Sequence, residues 1–470
     1  MNGLSTILII TGAFTLIVIM GIGIYSGKKV KNADDFDTGG KSAGSMLVTG
    51  MIIGTLVGGS STIGTAQLAF NYGLSAWWFT IGSSLGCLIL GMILYKPLRN
   101  SNSTTIQEMI RKEYGESSGV ITSVLATVGI ILNIVAQILA ANALLRTMFG
   151  LDSSIAGIIT ITIMACYVVF GGVKGAGMLG IVKLVLIYLG VIICGITALV
   201  KAGGISFIYA TLPHSKYFNF FARGAGIDLG ACLSVTLGVV STQTYIQAII
   251  SAKSHEDAKK GALISFCLIP PIGLLGIFVG YFMRIHSPSI DAGQAFPQFI
   301  IQYMPPAVAG VILATLMIAV VGTGSGMALG FGTIFTNDIY VRFINKDADS
   351  KKKLFVTRFI IIIALMCSLI FTNGNLKSAI LTWGFMSMGL RAVVLLIPMC
   401  TALYQPGKIH KNYAIASSSL GLVAMLIGSM SDLPFDSLFL GLGVSLIIMM
   451  LGYFLGKTKT NNVNEIISRK

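Results

Sequence analysis

The sequence predicts an all-α polytopic membrane protein of about 13 transmembrane helices in one domain, residues 1–470. Three observations carry this. Hydrophobic residues are 54% of the chain and charged residues 10%, with a mean hydropathy of +0.86, the balance of a chain that meets lipid. Long apolar segments recur with short loops between them, most of them able to cross a ~30 Å hydrocarbon core. The basic residues also sort by side, as they do around a bilayer.

The segments run over 6–25, 46–70, 75–97, 119–149, 152–172, 178–200, 226–250, 260–284, 306–334, 355–373, 377–403, 411–431 and 435–456. The first is long for a removed signal peptide and lacks a small-residue cleavage site, so it counts as a span. The second is unusual: its centre reads Gly54-Thr-Leu-Val-Gly-Gly-Ser-Ser-Thr-Ile-Gly64. Hydroxyls and glycines there gain nothing from lipid. They suit an interrupted helix whose freed carbonyls hold a cation and whose break adjoins a solute. Trp77 and Trp78 open the third segment as interface anchors. Asn133, Gln137 and Asn142 recur at near-helical spacing along 119–149. Lys183 lies in 178–200 and Arg391 near the middle of 377–403. The segment 226–250 carries Ser234, Thr236, Gly238, Ser241, Thr242 and Gln243 at and beyond its centre.

The net charge of +15 does not mean nucleic-acid binding. With the N-terminus outside, twenty-four lysines and arginines fall inside. Six fall outside: Arg146, Lys201, Lys216, Arg223, Arg284 and Lys377. This bias puts the N-terminus outside and the C-terminus inside a cytoplasmic membrane, where basic loops can also touch anionic lipid. Of the 17 carboxylates only Asp228 could enter the membrane, at the outer end of its segment. The deep ionisable groups, Lys183 and Arg391, are therefore both basic.

The 7 cysteines all lie in apolar segments, and neither they nor the 4 histidines show metal-ligand spacing. No glycine loop for phosphate is present, which argues against ATP-driven transport by this chain. No nucleophile, base and acid share membrane depth, which argues against an enzyme. Setting aside 6–25, 411–431 and 435–456 leaves ten segments, five in 46–200 and five in 226–403. Each half opens on an interrupted helix. Five spans per half require opposite insertion, an inverted repeat with the site between the two breaks.

Several motifs then resemble one family. Asp34-Asp35-Phe36 with Gly39-Gly40-Lys41-Ser42, Gly171-Gly172-Val173-Lys174, Thr242-Gln243-Thr244-Tyr245-Ile246-Gln247, Ala319-Val-Val-Gly-Thr-Gly-Ser325 and Thr336-Asn-Asp-Ile-Tyr340 stand in the order and spacing of the sodium:solute symporter family. The resemblance implies a LeuT-type five-plus-five repeat with about three added helices. In it Gly171-Gly172-Val173-Lys174 is a turn before the fifth core helix. It implies a sodium site with carbonyls of Gly54, Val57 and Ala319 and the hydroxyl of Thr323. Gly322 stands where a second hydroxyl is usual, and Ser325 is a hydroxyl for a further sodium site. It also places Ser61 at a sugar-binding position.

In that alignment Gly180 replaces an aspartate on the ion path, and Lys183 stands where glutamine is frequent. Two readings of Lys183 are open. It snorkels to the interface, or its ammonium occupies or neighbours the cation site as a tethered charge. Burial penalises a charged amine, so such a group could exchange protons in a cycle. Arg391 is a structural cap on helix carbonyls, a counter-charge for an anionic solute, or a gate residue. Ser60, Ser61, Thr62, Asn133, Gln137, Thr242, Gln243 and Arg391 form the candidate solute set, with hydrogen bonding between helices as the alternative for Asn133 and Gln137.

These observations converge on cation-coupled symport of a small organic solute, with a slight tilt toward one bearing a carboxylate, by alternating access. The coupling ion is sodium or a proton; no other cofactor is expected. The alternatives are a proton-coupled or uncoupled carrier on the same fold, with Lys183 replacing sodium, and a membrane solute sensor. The short tail after Lys457 argues against a fused signalling domain.

Overall fold

The computed structural model describes residues 5–27, 42–103, 105–375 and 378–455, with the side chains of 19–27, 168–180 and 350 left aside. The motif residues 34–41 and the tail from 456 lie outside the described residues. Every regular element described is helical, and pairing of extended chain is confined to one parallel bridge, Ala43 with Ala252.

Helix α1 spans Thr6–Gly27. Helix α2, Ser45–Leu56, leads through the unwound Val57–Gly59 to a π-helical turn, Ser60–Gly64, and then α3, Thr65–Tyr72. A 3-10 turn, Gly73–Trp77, precedes α4, Trp78–Ile89. Gly73 has φ 61°, and a Cβ there would run into the backbone of Tyr217. Only glycine fits that approach. A second π turn, Leu90–Leu94, joins α4 to α5, Tyr95–Asn100. Helix α6, Ile106–Tyr114, opens on a Thr105–Glu108 cap, the hydroxyl accepting from Glu108 N at 3.0 Å.

Helix α7, Glu116–Phe149, ends on left-handed Gly150. Helix α8, Ser153–Lys201, starts on an Asp152 cap. The expected segments 152–172 and 178–200 both lie on it, as the apolar stretches Ser153–Tyr167 and Ile181–Lys201. The expected turn at Gly171-Gly172-Val173-Lys174 is helical backbone, with its side chains among those left aside. Glycine weakens a helix by only about 1 kcal/mol per residue and does not oblige a turn.

Short helices α9, Ile205–Thr211, and α10, His214–Tyr217, precede α11, Ala225–Val240. Ser241 and Thr242 break the helix before α12, Gln243–Ile250, and the two pieces meet at 44°. Helix α13, His255–His286, contains Pro270 and Pro271. Pro270 cannot donate to the carbonyl of Phe266; Ser84 Oγ on α4 donates to it instead, at 2.6 Å. After a 3-10 turn, Ala292–Gln294, come α14, Ala295–Tyr303, and α15, Pro306–Phe335, which continues as a π helix over Thr336–Ile344. Helices α16, Ser350–Gly374, α17, Ile380–Tyr404, α18, Lys411–Ser429, and α19, Leu438–Leu455, complete the chain.

Among the described residues 9 helices are long and apolar enough to span a membrane, or 10 counting the bent α11–α12 pair. The broken element α2–α3 packs against α8 and α13, α15 against α7 and α8, and α17 against α7 and α11. Helices α18 and α19 pair with each other and lie on α17. The lipid-facing elements carry large exposed apolar side chains, such as Phe355, Ile370 and Phe371 on α16.

Candidate ion and solute site

The first break follows from its residues. Val57 is extended, with φ −88° and ψ 95°. The next amides and carbonyls lose their helical partners and need others. Gly58 N donates to Ser61 Oγ at 3.0 Å, and Gly59 N donates to Gln137 Oε1 on α7 at 3.0 Å. Ser61 Oγ and Thr62 Oγ1 both donate back to Gly58 O, at 3.1 and 2.8 Å. The hydroxyls therefore rebuild the hydrogen bonding that the break gave up. The fit is close. A Cβ on Gly58 would stand 2.8 Å from Thr323 Oγ1, and one on Gly59 would collide with Ala140.

Lys183 reaches into this break from α8. Its Nζ donates to Gly54 O at 2.6 Å, to Ala319 O at 3.1 Å and to Thr323 Oγ1 at 3.1 Å. Two carbonyls and one hydroxyl match the three donors of an ammonium. The residue is 6% exposed, so the snorkelling arrangement is not what the structure shows. Thr323 Oγ1 also lies 3.4 Å from Thr55 O. Gly54, Ala319, Thr323 and Lys183 are thus brought together. Val57 is adjacent in sequence but makes no recorded bond to the ammonium; its N–H closes on Ile53 O at 2.8 Å. Ser325 Oγ is bonded elsewhere, to Met164 O at 3.1 Å.

The second break is built alike. Ser241 Oγ donates to Leu237 O and Thr242 Oγ1 to Gly238 O, both at 2.6 Å. Helix α17 touches both breaks. A Cβ on Gly384 would lie 3.3 Å from Ser60 Oγ, and one on Gly238 would lie 2.5 Å from Met388 Cβ. Gly384 and Met388 are one turn apart on α17. Ser60 Oγ itself is buried without a partner. Gln243 turns to the start of α6, where its Oε1 accepts from Ile106 N at 2.9 Å. Asn133 Oδ1 accepts from Gln137 Nε2 at 3.5 Å, one turn along α7.

Arg391 is 2% exposed on α17. Its Nε donates to Ser387 O at 3.0 Å and its Nη2 to Ser387 Oγ at 2.9 Å. Ser387 Oγ in turn donates to Gly129 O on α7 at 2.6 Å. Sequence reasoning missed Ser387. The signal was there, because residues four apart share a helix face. It also missed Trp77 and Trp78 as internal donors, which bond Pro270 O at 2.9 Å and Phe220 O at 2.7 Å.

Comparison with known proteins supplies the context. The model of the family described as "Sodium:solute symporter family" matches residues 36–407. The high-affinity choline transporter 1 of Caenorhabditis elegans is 24% identical over 89% of this chain and 77% of its own length. The osmoregulated proline transporter OpuE of Bacillus subtilis (strain 168) is 24% identical over 79% of each chain. Among solved structures, a Na+-coupled sialic acid symporter in a substrate-bound outward-open state superposes with TM-score 0.76 at 19% identity, over 96% of this chain and 97% of its own. The nucleobase-cation-symport-1 family transporter Mhp1 superposes at TM-score 0.57 and 12% identity, over 90% of this chain and 95% of its own. At these identities the superpositions speak for the fold, that of LeuT-like transporters.

Proposed function

The chain belongs to the sodium:solute symporter family, and within this family of cation-coupled secondary transporters we propose that it uses the Lys183 ammonium as a tethered charge in the cation site, with a proton as the coupling ion. The observation that carries this is the set of three bonds from Lys183 Nζ to Gly54 O, Ala319 O and Thr323 Oγ1. Those are the oxygens the family resemblance assigns to sodium. A sodium ion needs about five or six oxygens, and it cannot share these three with an ammonium at hydrogen-bond distance. Gly322 offers no hydroxyl to add.

The cycle needs few moving parts. Protonated, Lys183 ties α8 to the break after α2 and to α15. Deprotonated, it loses a donor and its charge, and the tie weakens. Release and recapture of one proton thus bias the elements around the break between two arrangements, which is what alternating access requires. Ser60, Ser61, Thr62, Asn133, Gln137, Thr242, Gln243 and Arg391 are the residues from which the solute site is drawn, and Gln137 links that set to the break. Val57 and Ser325 are oxygens an added sodium would use if Lys183 swung aside.

This reading includes the finer architecture: about 13 transmembrane helices in a five-plus-five inverted repeat, 46–200 and 226–403, with 6–25, 411–431 and 435–456 added. It sets the N-terminus outside a cytoplasmic membrane and the C-terminus inside. The interrupted elements at 57–59 and 241–242, one in each half, support it. The named solutes of relatives, choline and proline among them, support a small organic solute.

The test is uptake into proteoliposomes of whichever amino acid, organic acid or sugar most raises the thermal midpoint of the purified protein. A proton gradient alone should drive accumulation, and a sodium gradient alone should not. Lys183→Ala should cut proton-driven uptake roughly tenfold or more, since a charge-assisted hydrogen bond is worth about 1.5–3 kcal/mol. Accumulation on a sodium gradient alone, unchanged in Lys183→Ala, would return the chain to ordinary sodium coupling.

A further inference from the structure

We propose that the transported solute bears a carboxylate and that Arg391 is the residue that holds it, an inference that rests on the transporter reading above. Arg391 is buried, yet no acid among the described residues contacts it. Among the described residues its guanidinium bonds only to Ser387 and to Met388 Sδ, and Nη1 has no partner at all. A buried ion without a counter-charge costs several kcal/mol, so a fold that keeps one has a use for it.

Acids buried elsewhere in the bundle have partners of their own. Asp228, fully buried, is held by Arg223 Nη2 at 2.6 Å and by Ser75 Oγ at 2.7 Å. Asp338 accepts from Ser123 Oγ at 2.7 Å and lies 3.9 Å from Arg111. Lys183 likewise contacts carbonyls and a hydroxyl but no carboxylate. Among the described residues, therefore, Lys183 and Arg391 are two buried cations with no carboxylate in contact. Electrostatics in such a place favours an anionic guest and rejects a cationic one.

The position suits a guest. Met388, one turn before Arg391, packs on Gly238 just ahead of the second break, and Gly384, two turns before it, lies beside Ser60 at the first. Tyr245 on α12 is an electrostatic neighbour of the guanidinium. Among the described residues, the buried atoms without partners include Ser60 Oγ beside Gly384, Thr244 Oγ1 on α12 and Arg391 Nη1. All three can donate, and an ionised carboxylate only accepts. The guanidinium is also held in place: Ser387 grips it from one side. A Cβ on Gly129 would stand 2.8 Å from Arg391 Cγ, so α7 closes the other. A fixed fork matches a carboxylate better than a mobile ammonium would.

The experiment is thermal unfolding of the detergent-purified full chain with pyruvate, L-lactate, succinate and N-acetylneuraminate, each paired with its methyl ester. At least one acid should raise the midpoint while its ester does not. Arg391→Gln should abolish that shift, and Arg391→Lys should raise the concentration needed at least tenfold. The inference is overturned if only esters, glycerol, glucose or choline stabilise the protein, if none of the acids does, or if the acid's shift survives in Arg391→Gln. Should the Gln variant not fold, an unchanged response in Arg391→Lys overturns it equally. The two proposals fail separately. Proton-driven uptake of an uncharged solute would spare the role of Lys183 and end this one, and sodium-driven uptake of a carboxylate would do the reverse.

Discussion

Lys183 shows what one side chain decides. An ammonium with three donors finds three acceptors, on α2 and α15, and needs no water to complete its bonding. A guanidinium would be different. It is larger, planar and permanently charged. Lys183→Arg should therefore keep solute-induced thermal stabilisation but lose proton-driven accumulation, because the charge can no longer leave. Uptake by this variant at the wild-type rate under a proton gradient would show that Lys183 does not carry the coupling proton. The sequence made Lys183 conspicuous as a basic residue in an apolar run. It could not choose between snorkelling and burial, because that depends on which way α8 faces within the bundle. Gln243 is the opposite case: polar, next to a break, and yet bonded to the start of α6.

At the scale of elements, the two interrupted helices depend on close packing. Gly58 sits where a Cβ would press on Thr323 Oγ1 at 2.8 Å and on Gln137 Oε1 at 3.0 Å. Gly58→Ala should cost about 1–3 kcal/mol through overpacking and should also disturb the Lys183 contacts, since Thr323 is one of them. Gly326 on the same α15 has nothing within 4 Å of its would-be Cβ. Gly326→Ala should be neutral or stabilising by about 0.5–1 kcal/mol. Thermal midpoints and uptake rates of the two variants check the contrast; equal behaviour would mean that the break is not tightly packed. Both breaks were legible as glycine and hydroxyl clusters inside apolar runs. How α8 lies in the bundle was not. Only the helices packed along it, among them α1, α2, α13 and α15, show where it runs.

Across the whole molecule, polar ties join segments distant in sequence. Ala43 N donates to Ser251 O at 3.0 Å and Lys253 N to Ala43 O at 2.9 Å, and Ser45 N donates to Asp257 Oδ1 at 3.0 Å. These join the start of the first broken element to the end of the second and to the first turn of α13. Asp228 plays a similar part, linking the turn before α4, the loop before α11, and α11 itself. Removing one partner of a buried pair costs about 3–5 kcal/mol. Arg223 keeps a little exposure, at 14%, so Asp228→Asn should fall at the lower end of that range. A calorimetric scan with an unchanged midpoint would reduce the pair to a surface contact. The sequence by itself determined the membrane class, the two interruptions, the family and the presence of two deep cations, because each of these follows from composition, period or residue order. Only the tertiary structure decided that Lys183 meets Gly54, Ala319 and Thr323, that Ser325 bonds Met164 instead, and that Arg391 meets no acid among the described residues. Those outcomes turn on the azimuth and depth of packed helices, and a one-dimensional pattern fixes neither.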